Sequence, residues 1–373
     1  MEFRDLKRQY SVLKNDINDA LSSVAASGIF IGGDNVLQLE RQLAEYVGVR
    51  HCITCANGTD ALTIALKIWN VGPGDAVFVP DFTFFATAET VAAEGATPVF
   101  VDVDPITFNL SPQDLERKIT SVSADGVLRP SVVIPVDLFG LPADFTAIKT
   151  IAQKYNLHIL EDGAQGFGGS INGKMACSFG DIATTSFFPA KPLGCYGDGG
   201  AIFTDNDKWA DIAASLKVHG RGAGKYDNVR IGMNSRLDAI QAAILLIKFR
   251  AFYGNELQAV NAAAVKYTEL LQNVVITPFV PQSFNSSWAQ YTIRLSDNST
   301  RDRLQNKLKE KGIPSVVYYP TPMHLQTAFV DCPSFGSCPM TEMLCNTVLS
   351  LPIHPYITTE EILTVSSEIK HTL

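Results

Sequence analysis

Short runs rich in β-branched and aromatic residues recur along the first two thirds of the chain: "HCITC", "AVFVP", "PVFVDV", "SVVIPV", "LHILED", "IATTSFF" and "GAIFTD". Between them stand stretches long enough for a helix. This alternation constrains the fold more than any other feature, because it predicts a mostly parallel sheet with helices on both faces. Sheets of that kind gather ligands at the carboxyl ends of their strands. Ahead of the first run, Leu13, Ile17, Leu21 and Val24 repeat at helical spacing and stop at Gly28, and Leu39, Leu43 and Val47 do the same and stop at Gly48. Beyond the last run, Leu237 to about Leu271 is apolar-periodic without proline, so it reads as one long helix or two meeting near Gly254. A smaller α/β unit follows, with "TRDRLQNKLKEKG" as a helix ending at Gly312 and Thr358-x-x-Glu361 as the capping box of a last helix. The expected division is a large domain over 1–250, including the N-terminal helices, and a small C-terminal domain over 251–373.

The chain has 373 residues, 46% of them hydrophobic and 18% charged, which supplies a sizeable core. Its net charge of −8 argues against a nucleic-acid or anionic-membrane surface, either of which needs a basic face. "MEFRDLKRQY" has no apolar run behind it, so neither a signal peptide nor a membrane anchor is expected there. Seven scattered cysteines fit a reducing cytoplasm. Cys52 and Cys55 form one C-x-x-C, readable as a redox or zinc site, but no second pair accompanies it and "HCITC" reads as a buried strand. No metal is expected.

Two motifs resemble phosphate loops and fail on inspection. Gly168 to Lys174 fits G-x-x-x-x-G-K, yet Met175 stands where a P-loop needs Ser or Thr for magnesium, and Asn172-Gly173 reads as a hairpin turn. "GAQGFGG" lacks the G-x-G-x-x-G spacing of a dinucleotide fold. The strand ends are more informative. "CANGTDAL" sets Gly58 and Thr59 at the start of a helix, either as a phosphate cup or as a turn with a threonine cap. "LHILEDGAQ" ends a buried strand on Glu161 and Asp162, with Gln165 after them; a carboxylate there needs a partner, a cationic ring nitrogen being one, unless Asp162 merely caps a helix. "SFFPAK" places Ser186 at a strand end and Lys191 five residues on, between Pro189 and Pro192. An apolar setting lowers a lysine's pKa, and a neutral amine attacks carbonyls. The glycines of "GDGGA" are expected to let backbone pack against a planar cofactor. Phosphate cup, carboxylate and lysine in this order are the parts of a pyridoxal phosphate site.

"ANGTDAL", "DFTFFATAET", "EDGAQGFGG", "SFFPAKPLGCYGDGGAIFTD", "GMNSRLDAIQAAIL" and "YYPTPMH" together resemble the ordered motifs of the DegT/DnrJ/EryC1/StrS sugar aminotransferases over nearly the whole chain. The resemblance implies an α/β enzyme of PLP-dependent transferase fold type I, aspartate aminotransferase-like, working as a homodimer with shared active sites. It implies Lys191 as Schiff-base lysine and proton carrier, Asp162 on the pyridine nitrogen, Gln165 on the phenolic oxygen and Phe84 stacked on the ring. Gly58, Thr59 and Ser186 would hold the phosphate, and Asn234 would reach it from the other subunit. Phe84 as plain core and Asn234 as a loop cap stay open. Relatives with histidine in place of the lysine are dehydratases; Lys191 argues against that branch.

The resemblance further implies L-glutamate as amino donor and a nucleotide-linked keto sugar as acceptor. "NSRLDAIQAAILLIK", "AQYTIRL" and "SLPIHPYI" are particularly similar to enzymes acting on UDP-2-acetamido-2-deoxy-3-oxo-glucuronate for surface polysaccharides. Arg236 is then a candidate for the sugar carboxylate, or a structural ion pair. His219, Tyr319 and His324 lie in segments able to line the pocket, or are packing and surface residues. The alternatives are a 3-keto or 4-keto 6-deoxy nucleotide sugar, a lyase or dehydratase using the same cofactor, and a non-catalytic descendant.

Overall fold

Helix α1 (Leu6–Ser27) starts where Asp5 accepts the Arg8 N–H and ends at Gly28, whose left-handed φ of +66° closes the last turn. Helix α2 (Asp34–Val47) ends the same way at Gly48 and buries Leu39, Leu43 and Val47. The computed structural model describes every residue but Lys225.

All the runs read as strands are strands, and they form one seven-stranded sheet. They are β1 (His51–Cys55), β2 (Asp75–Pro80), β3 (Thr97–Val101), β4 (Arg129–Val133) and β5 (His158–Asp162), then, after a small hairpin of β6 (Ser170–Ile171) and β7 (Lys174–Met175), β8 (Ile182–Ser186) and β9 (Gly200–Thr204). Their order is β1-β9-β8-β5-β4-β2-β3. β9 runs antiparallel to both its neighbours, while the pairs from β8 through β5, β4 and β2 to β3 are parallel. Helices α3 (Gly58–Ile68), α4 (Ala86–Ala93), α5 (Pro112–Asp125), α6 (Phe145–Tyr155) and α7 (Asp207–Leu216) cover the two faces. β2 is buried along its whole length, as an inner parallel strand must be.

The strand period settles the two cysteines. Residues three apart on a strand point to opposite faces; Cys52 packs in the core beside α2, and Cys55 in the core beside α3. They cannot converge on one metal or disulfide. Asn172 and Gly173 form the β6–β7 turn with φ of +51° and +79°.

The apolar stretch after Leu237 is helix α8 (Ala239–Ala251), a π turn over Phe252–Glu256 that contains Gly254, and helix α9 (Leu257–Leu271). Strand β10 (Phe284–Asn285) pairs with β6; β11 (Tyr291–Arg294) pairs with β12 (Val348–Leu351). Helices α10 (Asn298–Glu310), α11 (Pro339–Thr347) and α12 (Thr359–Thr372) complete the chain, the last with the capping box between Thr358 and Glu361. Tyr267, Tyr291, Leu304, Leu349 and Ile369 belong to a separate C-terminal core. Among the described residues no helix is long and apolar enough to cross a membrane.

Candidate active site

The groups singled out from sequence converge on the carboxyl rim of the sheet. Asn57 caps α3 by accepting the Asp60 N–H at 2.7 Å. The cap is therefore Asn57, not Thr59, which leaves the Gly58 and Thr59 N–H groups uncommitted at the positive end of the helix. Gly58 lies hard against the end of β8: a Cβ built on it would sit 2.9 Å from the Ser186 Cβ. Ser235 brings a further segment to this corner, its hydroxyl accepting the Ala56 N–H at 3.0 Å. Its neighbour Asn234 is exposed.

Asp162 ends β5, buried, and accepts from the Thr87 hydroxyl at 2.9 Å and the Ala164 N–H at 3.2 Å. Burial raises its pKa, while those two hydrogen bonds and the Lys191 charge oppose the rise. Lys191, in the turn after β8, has its pKa lowered by burial; Asp162 opposes and Arg4 reinforces that shift. Arg4 reaches the same loop, donating to the Pro192 carbonyl at 3.2 Å. Its own pKa is pulled down to about 10 by burial.

Gln165 is buried, with Oε1 accepting the Phe139 N–H at 2.7 Å and Nε2 donating to the Tyr319 hydroxyl at 3.1 Å. Phe84 is 55% exposed, so it is not core; its neighbour Phe82 is. The Phe84 and Tyr319 rings stand 6.4 Å apart. Arg236 keeps its Nε buried without a partner.

Two candidates have other duties. His324 spends its backbone N–H and Nδ1 on the Asp81 carboxylate, at 2.8 and 2.7 Å, and its Nε2 faces Glu342. Cys338 lies close enough to share a cation with this pair, but both Asp81 oxygens are taken by His324. His219 is exposed, with φ of +57°; its backbone bonds Met233 and Asn228. A Cβ on Gly200 would sit 2.5 Å from the Asn57 backbone, and one on Gly199 2.9 Å from the Leu237 side chain, so both glycines admit neighbouring segments of chain.

Sequence reasoning missed Thr87, Arg4 and Ser235. Thr87 stands inside the quoted "DFTFFATAET", where its position on the first turn of α4 is the available signal. Arg4 had none. A groove of about 1130 Å³ lined by Lys149, His158, Asp181 and Trp209 opens on the opposite rim and holds none of these groups.

A buried carboxylate that makes no ion pair among the described residues, a lysine of lowered pKa and N–H groups left over at a helix start fit pyridoxal phosphate at the ring nitrogen, the aldehyde and the phosphate respectively. Fold and site together define a pyridoxal phosphate-dependent aminotransferase of fold type I. The chain belongs to the DegT/DnrJ/EryC1/StrS aminotransferase family, whose model matches residues 11–370. It is 46% identical over 363 residues to the UDP-2-acetamido-2-deoxy-3-oxo-D-glucuronate aminotransferase of Pseudomonas aeruginosa, covering 97% of each chain. A DegT/DnrJ/EryC1/StrS aminotransferase from Brucella abortus superposes with a TM-score of 0.97 at 47% identity, over 100% of this chain and 99% of that one. NtdA from Bacillus subtilis, solved with its cofactor PMP bound, is similar with a TM-score of 0.85 at 31% identity, over 96% of this chain and 82% of that one.

Proposed function

We propose that this enzyme moves an amino group from L-glutamate to the 3-keto carbon of UDP-2-acetamido-2-deoxy-3-oxo-glucuronate, in the assembly of surface polysaccharide. The observation that carries the chemistry is the lysine of lowered pKa whose charge is felt by the buried Asp162. The full-length similarity to the Pseudomonas enzyme supports the choice of sugar.

Pyridoxal phosphate, when bound, supplies the electron sink for the carbanion formed at the donor's α-carbon. Asp162 keeps the ring nitrogen protonated, and Thr87 holds Asp162 in place. Gly58, Thr59 and Ser186 hold the phosphate, with Asn234 approaching that of a second copy in a homodimer. Phe84 would cover one ring face, and Gln165 would offer its spare Nε2 hydrogen to the phenolic oxygen. Lys191 would hold the cofactor carbonyl, and its neutral amine would take the proton from the donor's α-carbon and return it to the cofactor carbon. Arg236, with its unpartnered Nε, receives the sugar carboxylate. Residues 1–250 form the cofactor domain and 251–373 the smaller one.

The test is a pair of half-reactions followed by absorbance and product mass: purified protein with L-glutamate, then with individual keto sugar nucleotides. The reading requires the glucuronate to be aminated. Amination of a 6-deoxy sugar alone would reassign the substrate, and no spectral response to glutamate would remove the aminotransfer step.

A further inference from the structure

Beside Asp162 lie two carboxyl groups that the chemistry above leaves unused. Asp137 and Glu161 have no exposed surface, and the Glu161 charge bears on Asp137. No Lys, Arg or His among the described residues forms an ion pair with either. Their surroundings differ in a telling way. Glu161 accepts three backbone N–H groups, from Cys177, from Phe179 at 2.6 Å and from Gly180 at 3.0 Å, an arrangement suited to an anion. Asp137 accepts one, from Ala143 at 3.1 Å, and its Oδ2 is buried with no donor turned towards it. A Cβ on Gly166 would collide with that same oxygen, so the turn presses a bare glycine against it. A hydrogen bond between two carboxyl groups needs a proton on one of them, and two adjacent anions in a dry interior repel strongly.

We propose that Asp137 is a neutral carboxylic acid in the folded enzyme, donating its proton from Oδ2 to the Glu161 carboxylate, and that this bridge positions Asp162 and Gln165. The positioning half rests on the cofactor contacts read for those two residues above. Its geometric basis is short-range. The Asp137 N–H donates to the Asp162 carbonyl at 3.1 Å, the Asp162 N–H to the Pro135 carbonyl at 2.9 Å, and the Gly140 N–H to the Asp137 carbonyl at 3.2 Å. Phe139, inside that turn, is the donor that holds Gln165. Burial, followed by the Glu161 charge, drives the Asp137 pKa well above the usual carboxylate range. The other groups facing the pair are Asp162, the Cys177 thiol and, from α6, Lys149. A charged Asp137 would also push protons onto Asp162, so a neutral one leaves Asp162 free to act as the anion at the ring.

The test uses the full chain as wild type, Asp137→Asn and Asp137→Ala. Infrared spectra at neutral pH should show a protonated-carboxyl band in the wild type that Asp137→Asn lacks. Because the folded pKa is raised, the proton's contribution is complete below about pH 4, the unfolded value, and is lost as pH rises towards the folded one. Over that window the unfolding constant of the wild type should grow about tenfold per pH unit relative to Asp137→Asn. Asn, which still donates to Glu161, should keep cofactor affinity; Ala should lose about tenfold or more, leaving Glu161 a donor short. Absence of the band, or equal pH slopes in wild type and Asn, overturns the proton. A band with undiminished cofactor binding in Ala overturns the positioning role. If Ala does not fold, a loss of cofactor affinity in Asn overturns that role.

Discussion

Gln165 and Tyr319 are joined by a 3.1 Å hydrogen bond from Nε2 to the phenolic oxygen, linking the end of β5 to a segment more than 150 residues later. With Oε1 held by Phe139, the carboxamide is fixed at both ends. Tyr319→Phe removes one hold. Cofactor affinity, measured by absorbance titration, should fall about three- to tenfold, the worth of one ordinary hydrogen bond.

Lys191→Ala should slow the proposed glutamate half-reaction about a hundredfold or more in single-turnover measurements, since it removes the proposed proton carrier. Asp162→Asn should leave the fold intact and lose activity comparably. A fast half-reaction in either variant would contradict the roles given to them.

Arg4 lowers the Lys191 pKa through its charge. Removing a cation eases protonation of the amine, so Arg4→Met raises that pKa. The acid limb of the pH–rate profile for the half-reaction should move to higher pH. An unmoved limb would mean that Arg4 acts only through its bond to Pro192.

Gly58→Ala places a methyl group 2.9 Å from the Ser186 Cβ. One side of the proposed phosphate cup must yield. Weaker cofactor binding with little change in melting temperature is the expected result, checked by titration and by thermal unfolding of the cofactor-free protein.

Arg8 pairs with Glu361 at 3.0 Å, tying the first helix to the last, and holds the Glu361 pKa down to about 2. A depressed carboxylate stabilises the fold above its unfolded pKa, about 4.3, and that contribution is lost as pH falls towards 2. Arg8 is 38% exposed, so the pair is worth about 1 kcal/mol or less. Urea unfolding should show Glu361→Gln weaker than wild type at pH 7 and equal to it near pH 2.

The sheet was legible because parallel strands, buried on both faces, are written as unbroken apolar runs such as "AVFVP". The place of Lys191, Asp162 and Gln165 at the carboxyl rim was legible because polar residues just past strand ends are conspicuous against such runs. Arg4, Thr87 and the Asp137–Glu161 bridge were not. Arg4 and Thr87 depend on contacts made across a long stretch of chain, 188 residues to Pro192 and 75 to Asp162, and Asp137 meets its neighbours only once the chain after β4 lines up with the end of β5. The glycines of "GDGGA" show the same limit: a bare Cα announces a close approach without naming what approaches. The bond of His324 to Asp81, 243 positions away, was equally hidden.

The reversed direction of β9 has a mechanical consequence. β8 finishes at the carboxyl rim, and β9, running back, begins there, so the segment carrying Lys191 leaves and re-enters the sheet on the same edge. It is a handle fastened at both feet, with Ser186 paired to Gly200 across its base. Swinging the C-terminal residues would change what presses on the amine without carrying it along. The reach of Lys191 is set by the length of that handle, and one residue added to or removed from it moves the amine directly.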